Sequence, residues 1–244
     1  MSSQRRSLLI AAMLWVLGAV VYVAAEALTA AAFPGYSYAT NYISDLGVPD
    51  VGSFQGRAID SPRHELMNAA FVVQGVLYFA AVLLAVKATK IGPPIVFLML
   101  AGLFALGNAL VGSVHGSQAS VDNGSAVVHV IGAAMAILGG NTLAIAAGIG
   151  TLRTPNMRTY GRISIFLGAI GTLALLMLQI DSNAMSVNLL PDGVWERVAV
   201  YTITAWQFVT GALILTNVAR SPQGDRPVLR RAAEARSGPT GTTK

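Results

Sequence analysis

Six stretches of this chain run apolar for long enough to cross a hydrocarbon layer, and that constrains its fold more than any other feature. They lie at about 8–33, 64–86, 94–113, 126–152, 163–180 and 195–219. A stretch of about 18–25 apolar residues spans roughly 30 Å as a helix, whose backbone groups bond to one another and not to lipid. Only 11% of the residues are charged, less than half of the roughly 25% usual in soluble domains. The expected fold is therefore all-α, a bundle of six transmembrane helices over 1–219. The remainder, 220–244, is rich in Arg, Pro, Gly, Ser and Thr and reads as a disordered basic tail. Ala30-Ala31-Ala32 resembles a signal-peptide cleavage site, but the apolar run before it is about twice the 7–15 residues of a signal peptide.

The charges are sorted by side. With six spans and both ends on one side, that side holds every one of the 16 basic residues except Arg57, Arg63 and Arg197. Lys and Arg resist translocation, so both termini are expected in the cytoplasm of a cell-membrane protein. Orientation and attraction to anionic headgroups account for these cations, and no nucleic-acid partner is needed to explain them. The acidic residues outside the tail and all three histidines, His64, His115 and His129, fall on the opposite side. Chemistry is therefore expected at the outer mouth. The absence of Cys removes disulfides and thiolate chemistry.

Asn41-Tyr42-Ile43-Ser44-Asp45-Leu46-Gly47 packs helix breakers and hydrogen-bonding groups together, and predicts a structured turn after the first span. Helical spacing aligns Trp15, Tyr22 and Glu26 in span one, and His64 with Asn68 in span two. It also aligns Glu196, Thr204, Gln207 and Gly211 in span six. His129 leads a stripe of small residues, Ala133, Ala136 and Gly140, that would let a neighbouring helix approach closely. Glu26 is costly in hydrocarbon and should face the interior with a partner. The outer cavity is expected to be built from Glu26, Ser44, Asp45, Arg63, His64, Asn68, His115, His129, Glu196 and Arg197. The expected pairings are Asp45 with Arg63 or Arg197, and Glu26 or Glu196 with a histidine. Trp15 and Trp195 read as interface anchors, and Trp206 as a packed core residue.

The 41–47 motif, Ser61-Pro62-Arg63-His64 with Met67-Asn68, Gly112 with His115, and Gly193-Val194-Trp195-Glu196-Arg197 together resemble the prokaryotic membrane proteins grouped as domain of unknown function 998. The resemblance covers roughly 8–218. It implies about six spans and carries no established activity.

Three functional readings compete. In the first, the cavity binds a lipid or small amphiphile from the outer leaflet, with Arg63 or Arg197 meeting an anionic headgroup. In the second, the protein is an accessory subunit of a membrane-protein partner, and its polar network only fixes loops. In the third, His64, His115 and His129 hold zinc in a hydrolase, with a nearby carboxylate as ligand or base. Ser125-x-x-x-His129 looks loosely like part of the ceramidase-type pattern, but the chain lacks a His-x-x-x-His pair. The balance leans away from an enzyme and from any resident cofactor. Gly139-Gly140 and Gly148-Ile149-Gly150 lack the strand and Lys of a phosphate loop and read as helix packing.

Overall fold

The computed structural model describes residues 2–183 and 189–220. The seven α-helices among them are α1 (Ser3–Ala30), α2 (His64–Ala88), α3 (Pro94–Ser113), the short α4 (Gln118–Asp122), α5 (Ala126–Thr151), α6 (Arg158–Ser182) and α7 (Asp192–Arg220). All but α4 are long and apolar enough to span a membrane. The patterning is inverted relative to a soluble protein. Val76, Met99, Phe166 and Leu173 are exposed, while Gln74, Asn108, Asn141 and Gln207 are buried. Lipid solvates the former, and the latter find hydrogen bonds inside.

Packing runs in chain order around a closed ring, α1 on α2, α3, α5, α6, α7 and back to α1, with α7 also reaching α5. Small residues set the seams. Gly107 of α3 lies against the backbone of Gly132 and Ala136 of α5, Gly148 of α5 against Gly161 of α6, and Gly211 of α7 against Ala12 of α1. These contacts let backbones approach closely where there is no hydrophobic force between helices. Side chains then tie the ring: Asn141 Nδ2 donates to the Ala199 carbonyl at 2.9 Å, Trp206 Nε1 to Ser164 Oγ at 3.0 Å, and Gln74 Nε2 to Gln207 Oε1 at 2.7 Å.

Near one end of the bundle α1 residue 12 meets α7 residue 211, and near the other Glu26 meets Tyr201. The start of α1 and the finish of α7 thus share one end, here called the terminal end. The opposite, loop end carries the long connection 31–63. Within it lie a 3-10 helix, Ser44–Gly47, and a two-stranded hairpin, β1 (Gly52–Phe54) paired antiparallel with β2 (Arg57–Ile59). The hairpin turns through Gln55 and Gly56, both at positive φ, as a two-residue turn matched to strand twist requires.

Several helix limits differ from hydropathy. α1 begins at Ser3, where Ser2 Oγ accepts from the Arg5 amide at 3.3 Å, and α6 takes in Arg158 and Arg162. Cationic side chains at a helix end reach out of the hydrocarbon, so charged first turns escape an apolar count. Trp15 is correspondingly not an interface anchor. It is 4% exposed, mid-helix, and packs edge-on against Trp206 with ring centroids 5.7 Å apart. Residues 184–188 and the tail expected beyond Arg220 lie outside the described residues.

Candidate functional site

At the loop end the 41–47 motif folds back onto the bundle as a plug held by buried charge. Asp45 is 1% exposed. It accepts from the Tyr42 amide at 3.0 Å, from Asn41 Nδ2 at 3.1 Å, and from Arg57 Nε at 2.9 Å and Nη2 at 3.3 Å. Arg57 also stacks over the Tyr42 ring at 4.2 Å. Burial works against its charge, but the Asp45 carboxylate outweighs that cost and holds the guanidinium above its ordinary value. Burial, reinforced by Asp192, raises the Tyr42 hydroxyl, which donates to Asp192 Oδ2 at 3.0 Å.

A second buried pair joins α1 to α7. Arg197 Nε lies 3.3 Å from Glu26 Oε1, and Tyr201 donates to both carboxylate oxygens at 2.8 and 2.9 Å. The Arg197 fork also donates to the carbonyls of Tyr38, Asn41 and Gly193 and to the Tyr36 hydroxyl. One guanidinium thereby fastens the chain entering the plug to the start of α7. Gly193 permits this approach: a methyl there would come within 2.7 Å of the Ala39 carbonyl oxygen and closer to that of Asn41. Nearby, Asp181 ends α6 by accepting from Trp195 Nε1 at 2.7 Å and from the amides of Leu189 and Leu190.

Beneath the plug, a chamber of about 40 Å³ is lined by Ser44, Glu196, Tyr22, Gln74, Asn108 and Thr204 among others. Glu196 accepts from the Ile43 amide. A space of this size holds a water molecule or two. Of the ten residues expected to share a cavity, only Ser44 and Glu196 line it.

His115, Asn68 and His129 form a separate group beside α2, α3 and α5. Asn68 Nδ2 donates to the Gly47 carbonyl at 2.8 Å and lies 3.1 Å from His115 Nε2. His129 Nδ1 donates to the Val114 carbonyl at 2.6 Å, and His64 Nδ1 lies 3.0 Å from the Ser61 carbonyl. Among the described residues no group of three or more His, Asp or Glu is placed to hold a metal ion. Arg63 is exposed and stands outside the network. The expected pairings are thus replaced: Asp45 meets Arg57, and Glu26 meets Arg197. Asn41 and Tyr42 enter through the motif already singled out, whereas Arg57, Tyr36, Asp192 and Tyr201 join the network without any sequence signal that placed them in the cavity. Arg57 was visible as one of three cations on this side, but its hairpin, which carries it back over Asp45, has no helical spacing to mark it.

The amide nitrogen of Asn68 can only donate, so His115 Nε2 must accept and is then unprotonated. Burial, together with repulsion from His64, holds His115 below its ordinary value of 6.5. Folding therefore favours the neutral ring. Its contribution is complete above about pH 6.5 and is lost as the pH falls through and below that value. The melting temperature of the natural protein should exceed that of His115→Gln by a margin that narrows by a few degrees between pH 7.5 and pH 5, read by thermal unfolding in detergent. A margin unchanged with pH would contradict this geometry.

A larger space lies elsewhere, toward the terminal end. A cavity of about 510 Å³ is bordered by parts of α1, α2, α3, α5, α6 and α7, with mostly apolar walls that include Trp15, Val82, Leu143, Ala147 and Trp206. Its polar groups are few, among them Asn156 and the paired hydroxyls of Tyr160 and Thr210, 3.0 Å apart.

The family described as "Protein of unknown function (DUF998)" matches residues 16–213. The chain belongs to this family. It is an integral membrane protein by its six apolar helices. No curated protein and no solved structure matches it. The DUF998 match takes in both buried ion pairs of the plug and nearly all of the large cavity.

Proposed function

We propose that this DUF998 protein binds a lipid-like amphiphile whose hydrocarbon part occupies the cavity at the terminal end. The observation that carries the reading is that cavity's size and lining. Its 510 Å³ falls within the roughly 300–1,000 Å³ of small-molecule sites, which are mostly apolar with a few placed polar groups. The chamber under the plug is too small for such a ligand, and the ion pairs above it already satisfy each other. The loop-end network is accordingly read as a latch that fixes the 31–63 connection and braces α1 against α7. The terminal end is assigned to the cytoplasm because the basic residues gather there, which places amphiphile entry in the inner leaflet and not the outer one.

A fatty-acid analogue carrying a photoactivatable diazirine on its chain, added to the protein in nanodiscs, tests this. Label is expected on wall residues such as Leu143 and Val82, and Ala147→Phe, which fills the space from α5, should lower it about tenfold, equivalent to about 1.4 kcal/mol of binding. Label confined to lipid-facing residues such as Met99 and Phe166, or undiminished in the variant, would overturn the reading.

A further inference from the structure

We infer that the amphiphile is a net-anionic phospholipid of the surrounding bilayer, with its headgroup held at the cavity mouth by Lys90 and Arg158. This rests on the cavity being an amphiphile site. The mouth is made by two connections. One joins α2 to α3 and lends Thr89, Ile91 and Gly92 to the wall; the other enters α6 and lends Asn156, Met157 and Thr159. Neither cation is itself in the wall: Lys90 adjoins Thr89 and Ile91 in the first connection, Arg158 adjoins Met157 and Thr159 in the second, and both are exposed.

The two ends of the bundle treat charge in opposite ways. At the loop end, Arg57 and Arg197 are matched to the buried carboxylates Asp45 and Glu26. At the terminal end no Asp or Glu occurs among the described residues, so Lys90 and Arg158 meet no carboxylate among them. Two cations without a carboxylate partner among the described residues, on two connections that border one apolar cavity, complement a molecule with a hydrocarbon body and a negative head. A guanidinium can grip two phosphate oxygens at once, and a lysine adds a point charge. Asn156 supplies a neutral donor at the same mouth. A zwitterionic headgroup would place its own ammonium among these cations and gain less.

The alternative is that these residues act only as topological signals or as part of a diffuse basic surface. Arg153 separates the two cases. It is exposed and belongs to the same α5–α6 connection as Arg158, but neither it nor its sequence neighbours line the cavity. The probes are phosphatidylglycerol and phosphatidylcholine, each with a chain diazirine, cross-linked to the full-length protein in nanodiscs and mapped by mass spectrometry. At equal lipid content, phosphatidylglycerol is expected to label the cavity wall roughly tenfold more than phosphatidylcholine, since each basic residue near the surface favours anionic lipid severalfold. Lys90→Gln with Arg158→Gln should bring the ratio close to one while phosphatidylcholine labelling of the wall persists. Arg153→Gln should leave the ratio as it was, and Lys90→Arg with Arg158→Lys should retain most of it. An unaltered ratio in the glutamine pair overturns the headgroup assignment, as does an equal fall in Arg153→Gln, and either leaves amphiphile binding standing. Absence of wall labelling by both phospholipids in the natural protein overturns the phospholipid assignment, and amphiphile binding itself falls only if the fatty-acid analogue also leaves the wall unlabelled.

Discussion

Replacing Arg197 with alanine is expected to cost about 3–5 kcal/mol, the penalty for stranding one partner of a buried ion pair. Arg197 is 7% exposed and Glu26 1%, so neither can turn to water. The variant leaves Glu26 with the Tyr201 hydroxyl alone and strips a donor from the carbonyls of Tyr38, Asn41 and Gly193. Against a total stability of about 5–15 kcal/mol, such a loss should appear as a steep fall in detergent-extracted yield and in the denaturant midpoint. Arg197→Lys should rescue little, because a single ammonium with three donors cannot serve Glu26, three carbonyls and the Tyr36 hydroxyl at once. Removing both charges, as in Glu26→Leu with Arg197→Met, should recover the part of the loss due to the stranded Glu26 charge, though not the donors lost to the three carbonyls. If Arg197→Ala unfolds within about 1 kcal/mol of the natural protein, the latch described here does not hold the plug.

Gly107→Ala is expected to cost about 1–3 kcal/mol, the range for overpacking a close contact. A methyl at Gly107 would stand 2.5 Å from the Gly132 carbonyl oxygen and 2.9 Å from the Ala136 Cα, and closer still to the Ala136 nitrogen. These are backbone atoms of α5 and cannot rotate aside, so α3 and α5 would have to part along their seam. Gly102, one and a half turns earlier on α3, provides the contrast. A methyl there meets only a Phe79 ring carbon at 3.8 Å, and alanine is the better helix former by about 1 kcal/mol. Gly102→Ala should therefore be neutral or stabilising. Matched unfolding curves for the two variants read the difference directly, and equal behaviour would mean that the α3–α5 approach is looser than drawn.

Much of the loop-end chemistry was legible as inventory but not as pairing. Asp45, Glu26, Glu196 and Arg197 stand out in the sequence because ionisable groups near apolar spans need partners. Which partner each takes depends on the path of the 31–63 connection. The hairpin turn at Gln55–Gly56 brings Arg57 to Asp45 and leaves Arg63 at the surface, and helical periodicity says nothing about either. His64, His115 and His129 share a side of the protein, yet their ring nitrogens turn to the Ser61 carbonyl, to Asn68 and to the Val114 carbonyl respectively. A small-residue stripe on α5 was also legible, although the close approach to α3 uses Gly132, Ala136 and Gly139, a face turned slightly from the one through Ala133 and Gly140.

The number of spans, their alternating direction and the segregation of cations from imidazoles and carboxylates follow from the order of residues alone. The cost of exposing backbone and charge to hydrocarbon acts on each segment separately, whatever its neighbours do. The ion-pair partners, the small size of the space under the plug and the wide apolar cavity at the other end were decided only when six helices closed into a ring. A void belongs to no one segment: it is the volume left where Trp15, Leu143, Ala147 and Trp206, distant in the chain, fail to fill the space between their helices.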